Sequence, residues 1–365
     1  MFQNEGDGLT KVVKIGSVLI GGGNPVAVQS MTNTDTKNVT ATVEQIKNLE
    51  SAGCKIARIS VYDEACVESL KAIKSLVKIP IVADVHFDYK IAIGSILAGV
   101  DKVRINPGNI GARWKVEEVA RVAKDHGVPI RVGSNAGSID ESYLKKFDNA
   151  VDALVQSAID EVNTLESVGF SDIVVAVKSS DPIETIVANE KLSKMTSHPL
   201  HIGVTEAGIY EDAVVKSAFA LGHLLYEGIG DTIRVSIAGD PVDEIGVAYS
   251  ILQSVNVFDG PEIIACPTCA RTEINVEKLA REVKKSLADV RGKIKVAVMG
   301  CVVNGLGEAK GADVAVFGTK NGGVIYMDGK MVSTVSREEI LPTLKNLVLE
   351  YLKGEKRLEN DKTCK

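Results

Sequence analysis

The sequence predicts an α/β protein in two parts: a TIM-type (β/α)8 barrel over residues 1–258 and a smaller α/β domain over 259–354. A charged tail, 355–365, is expected to fray. Three observations carry this reading. Short β-branched runs alternate with helical stretches up to Val255, which implies right-handed βαβ crossovers and a parallel sheet. Eight such units in about 250 residues match the size of a closed barrel. After Asp259-Gly260-Pro261 the rhythm changes to several short strands and two helices.

The strand-like runs are 25–31, 55–61, 79–87, 101–106, 129–134, 172–179, 200–206 and 231–238. Helices are expected over 40–52, 63–77, 113–126, 182–195, 210–227 and 241–255, with extra helix in the fifth unit over 140–167. An open doubly wound sheet would be expected to carry a glycine-rich phosphate turn after its first strand. None follows Gln29-Ser30-Met31, and Gly21-Gly22-Gly23 precedes that strand, so it reads as a hairpin turn. In the second part, strands are expected over 262–265, 294–299, 312–317, 323–327 and 331–335, and helices over 276–290 and 338–352.

The bulk properties exclude several classes. Hydrophobic residues make up 45% and charged residues 25%, the balance of a globular chain large enough to need no covalent staple. A net charge of −6 argues against a nucleic-acid binder. The N-terminus lacks an apolar signal core, and the longest apolar stretch, from Ile91 to Val100, is too short to span a bilayer. A soluble cytoplasmic protein is expected. In that reducing compartment the six cysteines read as metal or redox ligands rather than as a disulfide framework.

Barrels keep their chemistry at the C-terminal ends of the strands. Polar residues collect there: Arg58/Ser60, Asp84/His86, Arg104/Asn106, Arg131 with Ser134 and Asn135, Lys178, Glu206 and Arg234/Ser236. The i, i+2 pairs project from one face of each strand. Arg58, Arg104, Arg131, Lys178 and Arg234 would repel one another unless an anion sits among them, and Arg suits bidentate phosphate recognition. Only Asp84 and Glu206 are similarly placed to compensate. An anionic substrate with more than one phosphate is the natural reading. Glu206, a carboxylate among cations, is a candidate acid or base; the bland alternative pairs it with Lys178 or an arginine. His86 reads equally well as a packed barrel residue.

Cysteines mark the second domain. Cys266-Pro-Thr-Cys269-Ala-Arg271 follows one strand, and Cys301 follows another and opens the run Val302-Val-Asn304-Gly-Leu-Gly307-Glu308. Zinc wants four Cys or His ligands, yet no His follows His223 and there is no second C-x-x-C. A thioredoxin-like pair would leave Cys301 without a role. A [4Fe–4S] cluster accepts three thiolates and a different fourth ligand. Cys364 and Glu308 are the candidates for that corner, and Glu308 is favoured. Cys54 and Cys66 read as buried small hydrophobes.

Taken together, these residues resemble the bacterial 4-hydroxy-3-methylbut-2-en-1-yl diphosphate synthase (IspG/GcpE) family. The resemblance rests on PVAVQSMTNTDT, RINPGNIG, IRVGSNAGS, GVTEAG, TIRVSIAGDP, and CPTCAR with CVVNGLGE, and it covers nearly the whole chain. It implies a barrel that binds 2-C-methyl-D-erythritol 2,4-cyclodiphosphate and a C-terminal [4Fe–4S] domain similar to that of sulfite and nitrite reductases. Cys266, Cys269, Cys301 and Glu308 match the family's cluster ligands. Arg58, Arg104, Arg131, Asn135, Lys178 and Ser236 match positions that hold the diphosphate, with Arg234 in the same motif, and Glu206 matches the acid/base carboxylate. Ala270 and Leu306 depart from the Gly and Pro common in the family; neither supplies a ligand side chain.

The implied reaction is a reductive dehydroxylation with ring opening, with electrons from flavodoxin or ferredoxin. An exchangeable Glu308 would free one iron for a substrate oxygen. The family arrangement is a homodimer in which one chain's cluster domain closes the partner's barrel; the short 258–261 link fits a second domain of limited reach. A non-catalytic electron carrier would explain the cysteines but not the cationic strand ends. A zinc-dependent barrel hydrolase is the other rival.

Overall fold

The structure, a computed structural model, describes residues 9–288, 290–303, 307, 309 and 311–363, those from 355 onward as backbone alone. It divides into two compact units that part between Phe258 and Asp259. Among the described residues no helix is long and apolar enough to cross a membrane.

The first unit opens with a hairpin, β1 (Val13–Ile15) and β2 (Val18–Ile20). Gly16, at φ +56°, makes its turn. The Gly21-Gly22-Gly23 run is therefore not the hairpin tip: it forms the turn leading out of β2, with all three residues at positive φ. Eight parallel strands follow: β3 (Ala27–Met31), β4 (Ile56–Ser60), β5 (Ile81–Asp84), β6 (Lys102–Arg104), β7 (Ile130–Val132), β8 (Ile173–Val175), β9 (His201–Ile202) and β10 (Thr232–Ile233). Their order is β8-β7-β6-β5-β4-β3-β10-β9. A parallel bridge between Val175 and Leu200, with the Val175 N–H donating to the Pro199 carbonyl at 2.9 Å, joins the two ends into a barrel. The ladders are shorter than the apolar runs suggested, because each run extends past its last paired residue into the loops at the mouth.

Helices return the chain between strands: α1 (Val39–Ser51), α2 (Glu64–Leu76), α3 (Tyr89–Leu97), α4 (Pro107–Ile110), α5 (Arg113–His126), α6 (Glu141–Leu144), α7 (Ala150–Glu166), α8 (Pro182–Met195), α9 (Tyr210–Tyr226) and α10 (Pro241–Ser254). Their starts are written locally. Asn38, Asp63, Asp88, Asn149, Asp181 and Asp240 each cap a helix by accepting a backbone N–H. Pro182 and Pro241 occupy the first turn, where no N–H is missed.

Two apolar regions fix the barrel's orientation. The large core lies between strands and helices and includes Ile46, Leu49, Ile59, Ile73, Ala83, Val103 and Ile130. A smaller cluster of Val13, Ile15, Ile20, Ala27, Ile56, Val82 and Val174 packs the hairpin against the beginnings of the strands. It plugs the N-terminal end. The interior above this plug is polar and opens at the opposite end.

The second unit is a sheet in the order β11 (Pro261–Ala265), β12 (Ile294–Met299), β13 (Val314–Thr319), β14 (Gly322–Met327), β15 (Lys330–Ser336). The first three strands are parallel and the last two antiparallel. Helices α11 (Val276–Ser286) and α12 (Ile340–Thr363) share one apolar cluster with the sheet. Alternation along β12 sends Ile294, Val296 and Val298 into that cluster, and Ala297 and Met299 to the other face, beside Phe317 and Cys266. Helix α12 runs on to Thr363. Glu, Lys, Arg and Leu are good helix formers, and they extend a helix already anchored by Leu344, Val348 and Leu352.

Candidate active site

The ladder register brings the sequence-predicted cations to one interior surface. Ser60 pairs with Asp84, Asp84 with Arg104, and Arg104 with Arg131 on four neighbouring strands. Asp84 is 2% exposed and is shared by two guanidiniums, Arg58 Nη2 at 2.6 Å and Arg104 Nη1 at 3.1 Å. Burial opposes its ionisation, but Arg58, His86 and Arg104 outweigh that and hold its carboxyl well below the usual range. His86 is not a packed barrel residue. Its side chain is 46% exposed, with Nε2 2.9 Å from Arg104 Nη1 and 3.4 Å from Asp84. Arg131 is buried, and its Nε and Nη1 have no partner. Burial, then Arg58 and Arg104, press against its charge.

Lys178 lies deeper than its place near the strand end suggests. Its Nζ is 3.1 Å from His201 Nε2, and His201 Nδ1 is 2.7 Å from Thr232 Oγ1. Gly203 makes room for it: a Cβ there would stand 2.6 Å from the Lys178 Nζ and 2.6 Å from the Arg234 carbonyl. Burial holds Lys178 well below the ordinary lysine value, with Arg131 and Arg234 adding to it. Asn135 bridges to Lys178 through the backbone, extending β7 and β8 towards the mouth. Ser236 is half-buried two residues beyond Arg234.

Arg234 is held by an acid that the sequence pattern did not bring forward. Glu244 on α10 is 2% exposed, accepts from Arg234 Nη2 at 3.2 Å, and takes the Ser30 hydroxyl at 2.6 Å. Nothing in the α10 sequence separates Glu244 from the other acids of its first turn. Lys102 was also missed, although its i, i+2 spacing from Arg104 puts both side chains on the same strand face. Glu206, by contrast, is exposed in the bend after β9 at φ +51°, a backbone conformation uncommon for a side-chain-bearing residue. Lys178 turns to His201 instead, so the bland pairing of Glu206 with that lysine is absent. Among Arg58, Lys102, Arg104, Arg131, Lys178 and Arg234, the buried carboxylates paired with a cation are Asp84 and Glu244, while a third buried acid, Glu161, accepts the Gly133 N–H instead. The interior carries surplus positive charge.

In the second unit, Cys266 follows β11 and Cys301 lies two residues beyond β12, the adjacent parallel strand. The Gly300 N–H donates to Cys266 Sγ at 3.1 Å, and the Glu273 N–H donates to the Gly300 carbonyl at 2.8 Å, stitching the two loops together. Cys269 is exposed. The Arg271 backbone N–H, with Thr272 and the Arg271 charge, lowers its thiol pKa. All three thiols are free. As they stand, no three His, Cys, Asp or Glu side chains among the described residues are placed to hold a metal ion. The donor chemistry nevertheless fits thiolate ligation, with one sulfur already accepting a backbone N–H and another acidified. Glu308, the expected fourth ligand, lies outside the described residues, as do Leu306 and Cys364.

Fold and mouth together define an α/β barrel protein with a cation-rich interior and a thiol-bearing second unit. The family model described as the GcpE TIM-barrel domain matches residues 10–249, and the GcpE protein C-terminal domain matches 262–350. A Thermotoga petrophila protein named 4-hydroxy-3-methylbut-2-en-1-yl diphosphate synthase (flavodoxin) is 51% identical, covering 94% of this chain and 98% of its own length. A protein of the same name from Caldanaerobacter subterraneus is 50% identical over 95% of this chain and 98% of its own. The chain belongs to the GcpE family, an oxidoreductase family of isoprenoid precursor synthesis. Among solved structures, a dihydropteroate synthase from Xanthomonas albilineans aligns at a TM-score of 0.51 and 14% identity, covering 67% of this chain and 98% of its own. A sialic acid synthetase from Leptospira borgpetersenii aligns at 0.50 and 13%, covering 77% and 99%. At such identity the likeness concerns the fold alone.

Proposed function

We propose that this chain converts 2-C-methyl-D-erythritol 2,4-cyclodiphosphate to 4-hydroxy-3-methylbut-2-enyl diphosphate. The observation that carries the reading is the surplus of buried cations at the barrel mouth, where Arg131 keeps two guanidinium nitrogens without a partner. The names carried by relatives with half their residues in common support it.

In this reading Arg58, Arg104, Arg131 and Lys178 hold the diphosphate, Asn135 and Ser236 donate to its oxygens, and Arg234 sits beside them. The cations stabilise the negative charge that grows on the diphosphate as the ring C–O bond breaks. Glu206 gives a proton to the departing hydroxyl, which leaves as water. Two electrons and one proton enter for each ring opened. Cys266, Cys269, Cys301 and Glu308 would hold a [4Fe–4S] cluster, which when bound supplies the electrons singly. A flavodoxin or ferredoxin donor, a cytoplasmic setting, and a homodimer whose second unit closes the partner's barrel belong to the same proposal.

The test is anaerobic purification followed by assay with the cyclodiphosphate and a strong reductant. The expected result is a brown protein with iron and sulfide that releases the open allylic diphosphate. Glu206→Gln should keep the iron and lose roughly 100-fold or more in turnover, and Cys269→Ser should lose the iron. A colourless, zinc-loaded protein would overturn the cluster assignment. An iron-loaded protein that leaves the cyclodiphosphate intact would favour an electron carrier.

A further inference from the structure

One buried group in the barrel plays no part in the chemistry above. Lys102, on β6, pairs in the ladder with Val82, a member of the apolar plug at the barrel floor. Its side chain is wholly buried, and its Nζ has no hydrogen-bond partner. Both side-chain polar atoms of Gln29, on β3, and the Nε and Nη1 of Arg131, which acts on Lys102 from β7, are also buried without partners. The floor of the barrel thus holds an amine with nothing to neutralise it.

We propose that Lys102 senses occupancy of the anion site from below, taking up a proton from solution when a diphosphate fills the barrel mouth. The proposal rests on the diphosphate reading of that mouth.

The surroundings of Lys102 explain why the proton is missing beforehand. The charged groups acting on it are Arg131 from β7 and Arg58 from β4. His201 on β9 is coupled to it as well, and beneath it the hairpin offers only apolar side chains. The buried acids around these guanidiniums are committed: Asp84 to Arg58 and Arg104, Glu244 to Arg234, and Glu161, itself pushed up to about 7 by burial, to the Gly133 N–H. Burial, then those two guanidiniums, push its amine down to about 7. Arginines keep their protons near neutrality, so lysines are where the empty barrel sheds charge. Lys178 is also pushed down, but its Nζ shares a hydrogen bond with His201. His201 is held well below the ordinary histidine value by burial and by Lys178, so it lies farther from taking a proton. Lys102 alone of the three has no partner.

An entering diphosphate offsets the positive field that Lys102 feels. Protonation of the amine then becomes favourable, and the arginines above it gain an anion in place of mutual repulsion. Because binding takes up a proton, affinity weakens as pH rises above about 7, approaching tenfold per pH unit where one full proton is linked.

Isothermal titration of the anaerobic full-length protein with the cyclodiphosphate tests this, in buffers of different ionisation enthalpy at pH 8. Each phosphate of that ligand carries one strongly acidic oxygen, so the ligand contributes no proton of its own. The expected result is net proton uptake by the wild type, with Kd rising by more than tenfold from pH 7 to 9. Lys102→Met should lose most of roughly one proton of uptake. Lys102→Arg, permanently charged and able to stand in if the Met variant misfolds, should bind with the same reduced uptake. Uptake unchanged in either folded variant, or a wild-type Kd flat from pH 7 to 9, would overturn the role of Lys102. Failure of the wild type to bind the cyclodiphosphate at all would overturn the diphosphate reading itself, and this proposal with it.

Discussion

Glu161 faces the opposite problem from Asp84. Asp84 is buried between cations and stays ionised. Glu161, on α7 behind β7, is 8% exposed, accepts the Gly133 N–H at 2.6 Å, and is pushed up to about 7 by burial, with Arg104 and Arg131 only partly offsetting it. A carboxyl raised in the folded state binds protons that the unfolded chain has released. Its contribution is fully present below the ordinary Glu range and is lost as pH rises to about 7, a swing of roughly 3 kcal/mol at most. Chemical denaturation of Glu161→Gln between pH 4.5 and 7.5 checks this. The variant, whose amide oxygen still accepts from Gly133, should show a flatter loss of stability than the wild type. Two buried carboxyls that both feel Arg104 thus differ in charge because one has cations within bonding distance and the other has a backbone N–H.

Between elements, β9 and β10 approach closely because Gly203 lacks a side chain. Its backbone has no special φ, so the requirement is one of space. Gly203→Ala should push Lys178 off His201 and strain the ladder against the Arg234 carbonyl. The expected cost is about 1–3 kcal/mol in stability and at least tenfold in affinity for the cyclodiphosphate, measured by denaturation and titration. Gly133, beside β8, is required on both counts: its φ is +131°, and a Cβ would meet the Ala176 carbonyl at 1.8 Å. Neither glycine stood out in the sequence. Each matters through a neighbour on another strand, and sequence spacing carries no record of that neighbour.

For the molecule as a whole, the two apolar cores share no residue: one gathers Val28 through Leu252 and the other Val276 through Leu352. Residues 259–365 expressed alone should therefore unfold in one cooperative transition, followed by circular dichroism; a non-cooperative melt would show that the sheet needs the barrel. How much of the molecule was legible beforehand follows from the same division. Strand–helix alternation fixed the barrel, since a β-branched run followed by a capped helix has few ways to bury its apolar faces. The i, i+2 spacing of Arg58, Asp84, Arg104 and Arg234 with their partners marked the polar interior, because a strand sends alternate residues to one face. The cysteine spacing and the absence of histidine after His223 narrowed the second unit to thiol chemistry. Tertiary structure alone decided which acid answers which base. Asp84 is divided between two arginines, Glu244 arrives from a helix, Lys178 turns down to His201, and Lys102 is left with no counter-charge. Those pairings depend on barrel register and closure, which set distances between residues far apart in the chain.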